Sequence, residues 1–463
     1  MYSIKSKNMQ FKKLTLSVLS IILSITLLAQ GEKSLFPHPS WSLQSNIYEV
    51  NLRQYTNEGT FKAFEKSLPR LKNMGVEILW FMPITPISVK GRKMNESELG
   101  SYYAVSDYKG INPEFGDMSD FVSLVKNAHA MGFKVITDWV PNHSGIDNGW
   151  VDRHPDFYSK DEKGNFISPF DWTDVYKLNY DNKEMCDSMI DAMKFWITNA
   201  GIDGFRCDVA EPVPADFWKT CISELKKMKD VFMLAEGNTS WLHESGFDAT
   251  YNWNAMGYTR DLYEGKMSAS AFIDSLNANY KRYPKDAMRM NFTTNHDENS
   301  WNGTEFEKYG DAYKMFSVFS MTYNQTIPLV YSGQEIPNKK RLKFFVKDPI
   351  EWNGLEMESF YKTLLHQRKM NPSLASDASY RRIKTSADEN VLCFMREKNK
   401  QKVLTILNLS AKSQTITILD KNFNGEVGNI FDNGKWITLK PGQKFELKPW
   451  GFLVYADGAK HAD

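Results

Sequence analysis

Three stretches of the chain repeat one pattern of apolar and polar positions. They are FKAFEKSLPRLKNMGVEILWFMPI (residues 61–84), MSDFVSLVKNAHAMGFKVITDWVPNH (118–143) and EMCDSMIDAMKFWITNAGIDGFRCDVA (184–210). In each, apolar residues recur every three or four positions, a glycine follows, and a nearly continuous apolar run comes next. The spacing predicts an amphipathic helix leading into a strand. Gly75, Gly132 and Gly201 stand where a helix ends in a left-handed residue. Strands apolar throughout are covered on both faces, as parallel strands are. Further strands are read at 45–52, 231–236, 248–254, 288–295 and 326–333, with a helical stretch, GDAYKMFSVFSMTYN, between the last two. Eight strands alternating with helices predict an α/β chain built as a closed (β/α)8 barrel, the alternative being an open doubly wound sheet.

The rhythm changes after about residue 375. VLCFMREKNKQKVLTILNLSAKSQTITIL and FELKPWGFLVYA alternate short strands with polar turns, which predicts an antiparallel β-sandwich over residues 375–463. Residues 31–374 then form the barrel. Within it, about 141–182 is a loop-like insert after the third strand, rich in Gly, Asp, Pro and Trp and too long for an ordinary connection.

At the N-terminus, two lysines precede a short apolar run that ends at Ala29, the pattern of a secretory signal over residues 1–30. The expectation is cleavage near Ala29–Gly31 and export to the periplasm or the exterior. The run is shorter than a membrane span, and no later segment is long and apolar enough to be one. Lys plus Arg total 57 and Asp plus Glu 56, a net charge of +1 that excludes a strongly basic nucleic-acid binder. Cys186, Cys207, Cys221 and Cys393 show no metal-ligand spacing and read as buried thiols, with a Cys186–Cys221 bridge the alternative in an exported protein. Aromatics are 14% of the chain, enough to supply both a large core and flat apolar faces for sugar rings.

Barrel enzymes place their chemistry at the C-terminal ends of the strands. Here those ends are charged: Asp138 and His143 follow the third strand, Arg206 and Asp208 the fourth, Glu236 the fifth, and His296 and Asp297 the seventh. One strand-end Asp is usually a helix cap. Acids at the ends of four strands, without a set of Cys or His ligands, instead fit glycoside hydrolysis, which needs a carboxylate and a carboxylic acid flanking the bond. G-x-S-x-G, H-E-x-x-H, G-x-G-x-x-G and P-loop motifs are absent from the sequence.

Over roughly residues 41–455 the chain resembles the α-amylase family, glycoside hydrolase family 13, with a likeness to its neopullulanase and cyclomaltodextrinase members. DWVPNH, GFRCD, the Glu of MLAE and TTNHD resemble the family's four hallmark segments, in order and on the matching strands. SYYAVSDYKGINPEFG, KLNYDN and IPLVYSGQE add to the match. The resemblance implies a barrel, a small domain B after strand three and a C-terminal β-domain. It implies Asp208 as nucleophile, Glu236 as general acid/base and Asp297 as a third carboxylate that binds and distorts the sugar. His143, His296, Arg206 and Tyr103 are its substrate-site residues. The histidines would hydrogen-bond the sugar, Tyr103 rather than Tyr102 would stack beneath it, and Asp138 would support the site. Arg206 is expected to keep Asp208 ionised, and neighbouring carboxylates to hold Glu236 protonated.

The implied substrate is an α-glucan or maltooligosaccharide, cleaved mainly at α-1,4 bonds by double displacement. The alternatives are a transglycosylase, or a noncatalytic glucan-binding protein. No cofactor is required. Two departures bear on the family's features. Glu211 and Pro212 replace the usual Lys-His pair of the acceptor side, and Asn179 stands where the structural calcium of many members has an Asp. Pro212 also replaces the His that commonly gives this calcium a carbonyl, leaving Asn142 as the matching ligand, so activity is expected to survive chelation.

Overall fold

A computed structural model describes residues 33–92, 98–432 and 435–457. The expected signal segment lies outside these residues. Eight parallel strands close into a barrel in chain order: β1 (Ile47–Val50), β2 (Ile78–Phe81), β3 (Lys134–Trp139), β4 (Gly204–Cys207), β5 (Phe232–Ala235), β6 (Ala249–Tyr251), β7 (Met288–Asn291) and β8 (Thr326–Tyr331), with β8 paired back to β1. All eight lie within the segments read as strands.

Alternation along each strand explains the continuous apolar runs. Ile47, Ile78, Trp80, Ile136, Leu234 and Met290 fill the barrel interior. Their neighbours Tyr48, Leu79, Phe81, Val135 and Met233 point outward into a larger core shared with the helices. Both faces are thus removed from water. Side chains start the helices, Asp117 capping Met118–Ala130 and Asn182 capping Lys183–Ala200. Gly75 and Gly201 end their helices at φ +95° and +72°, conformations a side chain would resist.

After β3 the chain leaves the barrel. His143–Gly145 and Val175–Lys177 pair as a small antiparallel ribbon, and the residues between them form a lobe over the barrel mouth with the short helix Gly149–Arg153. The C-terminal region holds β9 (Ser379–Arg382), β10 (Val391–Lys398), β11 (Gln401–Asn408), β12 (Gln414–Thr417), β13 (Gly425–Asn429), β14 (Trp436–Leu439), β15 (Lys444–Leu447) and β16 (Phe452–Ala456). Six make a sheet in the order β9-β10-β11-β16-β13-β14, and β12 pairs with β15. Cys393, Leu404 and Ile406 face Ile416 and Phe445 of that pair, while Phe394, Val403 and Leu407 face the barrel core. Buried Arg396 reaches across, donating to the carbonyls of Tyr323 and Ala375 at 2.6 Å each. The four cysteines are free thiols, three of them buried. Among the described residues no helix is long and apolar enough to cross a membrane.

Candidate active site

The barrel register sets the site. Asp138 on β3 lies directly beside Arg206 on β4, and both point inward above the apolar filling. Arg206 is fully buried and organises the acids. Its Nη1 donates to Asp138 Oδ1 at 2.8 Å and to Asp208 Oδ1 at 3.0 Å, and its Nε to the Tyr251 hydroxyl at 3.1 Å. Its Nη2 lies 2.9 Å from Glu236 Oε2 but is not aligned for a hydrogen bond. One cation therefore faces three carboxyl groups.

Glu236 has a second donor. Val209, next after Asp208, takes φ +42°, a region that branched residues rarely adopt. This turns its backbone N–H onto Glu236 Oε2 at 2.9 Å. The strain therefore buys a fixed donor at the carboxylate.

These contacts push the two carboxyl groups in opposite directions. Burial pushes the Asp208 carboxyl well above the usual range, and the adjacent Glu236 charge adds to this, outweighing Arg206. Burial also acts on Glu236, but Arg206, the Val209 N–H and a hydrogen bond from the Asp208 carboxyl together pull it below its ordinary value. Within this pair the two directions run opposite to those expected, Asp208 upward and Glu236 downward. The expectation counted Arg206 with Asp208 alone, whereas its guanidinium also faces Glu236. Asp138 is raised to about 6, chiefly by burial.

Asp208, Glu236, Asp297, Tyr103 and His143 line one cavity of about 310 Å³ at the C-terminal mouth of the barrel. Arg206 and His296, expected to touch the substrate, are buried and are not among the residues lining it. Tyr103, rather than the buried Tyr102, reaches the cavity. Its ring stacks between His296 and Phe344, at centroid distances of 5.7 and 6.3 Å. Burial holds His143 neutral, lowering it to about 4.

Several lining residues carried no signal in the sequence. Trp172 from the insert packs edge-on against His143 at 5.3 Å and contacts exposed Phe170. Trp301, also in the lining, leans on Phe344 and Phe345. Two aromatic groups thus wall the cavity that holds the carboxylates. Glu211 sits at the rim outside this lining, where its Oε1 accepts from the Asn238 N–H at 2.5 Å.

At the position of the family's calcium, the two asparagines bond within the protein. Asn142 turns its amide to the His143 ring at 3.2 Å, and Asn179 donates to the Asp156 carbonyl at 3.3 Å and accepts from the Asp181 N–H. Among the described residues no group of three or more His, Cys, Asp or Glu is arranged to hold a metal ion.

A family profile described as alpha amylase, catalytic domain, matches residues 42–383. The chain belongs to the alpha-amylase family. Alpha-amylase 2 of Dictyoglomus thermophilum is 26% identical over 450 residues, covering 86% of this chain and 75% of that one. Neopullulanase 2 of Thermoactinomyces vulgaris is also 26% identical, with coverages of 91% and 79%. Among solved structures, a maltogenic alpha-amylase from Thermotoga neapolitana superposes with a TM-score of 0.80 at 30% identity, covering 89% of this chain and 98% of that one. An alpha-amylase from Lactobacillus plantarum gives 0.79 at 26%, with coverages of 90% and 100%. As in this alpha-amylase family generally, the protein is a glycoside hydrolase, built as a parallel eight-stranded barrel with a C-terminal antiparallel sheet.

Proposed function

We propose that the protein is a retaining glycosidase that cleaves α-1,4 bonds in maltooligosaccharides and related α-glucans. The observation that carries this reading is the convergence of Asp208, Glu236 and Asp297 on one cavity walled by two aromatic groups. The walls suit the apolar faces of glucose rings, and the acids suit bond cleavage.

The chemistry needs a proton on Glu236 and Asp208 as carboxylate, held against Arg206 Nη1. Glu236 then gives the proton to the glycosidic oxygen while Asp208 oxygen bonds to the anomeric carbon and the leaving sugar departs. In the second half, Glu236 takes a proton from water, the water oxygen bonds to the anomeric carbon and Asp208 is released. Asp297 and Tyr103 form the floor against which the reacting sugar is held. Two inversions give net retention. The test is proton NMR of the first sugar released from maltotriose: the α-anomer is expected, and the β-anomer overturns the reading. The apolar stretch before Gly31 supports export, which N-terminal sequencing of the mature protein checks; a chain still starting at Met1 would contradict it.

A further inference from the structure

Beneath the cavity lies a group that no role above uses. Glu49, on β1, is fully buried, and one of its oxygens lies 2.5 Å from His296 Nδ1. Its other oxygen has no hydrogen-bond partner. It does not line the cavity. A buried carboxylate is costly, and a neutral amide would orient the ring just as well. The charge itself therefore calls for a reason.

The contacts of the ring supply one. His296 Nε2 lies 2.7 Å from the Tyr103 hydroxyl and 3.3 Å from Asp297 Oδ2. The Tyr103 hydroxyl is also 3.1 Å from Asp138 Oδ2, whose other oxygen takes Arg206. Nδ1 faces a carboxylate oxygen and must carry hydrogen. If the ring were neutral, Nε2 would be bare. It would then draw the Tyr103 proton away from Asp138 and set a lone pair against Asp297. With both nitrogens protonated every contact is satisfied in one direction: His296 donates to Glu49, to Tyr103 and toward Asp297, and Tyr103 donates to Asp138.

We propose that Glu49 is a positioning residue whose charge keeps His296 doubly protonated, which fixes the Tyr103 hydroxyl on Asp138 and presents a donor to Asp297. The groups facing His296 are Glu49 from β1, Tyr103 after β2, Asp138 from β3, Arg206 from β4, Glu236 from β5 and the adjacent Asp297. Burial disfavours the imidazolium and Arg206 repels it, yet Asp297 and Glu49 raise His296 to about 9. The role deepens the glycosidase reading, because Tyr103 and Asp297 form the floor that holds the sugar.

The experiment is NMR titration of carbon-13-labelled histidine in the full-length enzyme, with the His296 signal identified by its loss in His296→Gln. In the wild type the ring should remain imidazolium to about pH 8. In Glu49→Gln it should lose its proton at a pH at least about one lower. The ratio of variant to wild-type kcat/KM on maltotriose should then fall about twofold or more between about pH 6 and pH 8, because at pH 8 the variant ring is at most about half protonated while the wild-type ring is still mostly imidazolium. Glu49→Asp, which keeps the charge, should keep the ring protonated to higher pH than Glu49→Gln does. A wild-type His296 that titrates at or below the ordinary histidine value overturns the proposal, even if no variant folds. So does a Glu49→Gln ring that titrates as in the wild type, or a loss of activity equal at every pH. Failure of the glycosidase reading would show separately, as a wild type inactive on maltotriose with its histidine titration intact.

Discussion

The two ends of strand β4 treat buried acids in opposite ways. At the N-terminal end, Asp203 is ringed by donors: Lys229 Nζ at 2.9 Å, Lys134 Nζ at 3.3 Å, His129 Nε2 at 2.7 Å and the Val135 N–H at 2.9 Å. Although burial opposes the charge, these partners hold the carboxyl down at about 2. At the C-terminal end, a few residues along, Asp138, Asp208 and Glu236 share one arginine, and burial drives Asp208 far above its normal range. One end has donors in excess and serves stability. The other has acids in excess of the one arginine they share. The same fold pays for catalysis by leaving its acids under-compensated.

The contrast can be broken first at Asp208. Replacing it with Asn should lower kcat by about 10⁴-fold or more, since an amide cannot capture the anomeric centre. The same change should leave the melting temperature equal or higher, because a costly buried acid is removed. A variant that melts far lower would place Asp208 with Asp203 as a structural acid. Next, Glu236→Gln should cost about 10²- to 10⁴-fold on maltotriose. The first step with an α-glycosyl fluoride should suffer far less, because fluoride departs with little help from a proton. Equal losses on both substrates would move the acid/base role away from Glu236.

Asp203→Asn should do the reverse: stability falls by about 2–3 kcal/mol while kcat of the folded fraction stays near wild type. Urea unfolding measures it. Because the folded-state value is depressed, the wild-type advantage is complete above about pH 4, the unfolded Asp value, and disappears as pH falls through about 2. An advantage that grew on acidification would contradict the assignment. The smallest effect is expected on the walls. Trp172→Ala should raise KM on maltotriose about two- to tenfold with kcat nearly unchanged, the worth of one aromatic contact. A fall in kcat alone would mean that Trp172 shapes the acids rather than holding the glucan.

The same contrast explains how much could be read from the chain. The barrel was legible because each helix, glycine and apolar run repeats a local pattern, and Asp208, Glu236 and Asp297 because strand ends are where a barrel puts its chemistry. The direction in which each of Asp208 and Glu236 is pushed was not legible. It depends on Arg206 Nη2 reaching Glu236 and on the turn at Val209, both products of packing. Glu49 showed only as one acid inside IYEV, indistinguishable in sequence from a strand-edge carboxylate. Trp172, Trp301 and Phe344 come from connections with no period, so only the folded chain brings them to one cavity. Arg206 and His296 were placed correctly at strand ends, but strand position cannot tell a residue in the wall from one behind it.

The central claim is that Asp208, alone among these acids, bonds to the sugar. Glu236→Gln treated with α-maltosyl fluoride tests it most directly, because glycosylation proceeds without an acid while release stalls without a base. Intact-mass spectrometry should show the protein gaining one glycosyl unit, and peptide mapping should place it on Asp208. A label on Asp297 or on any other residue would contradict the account.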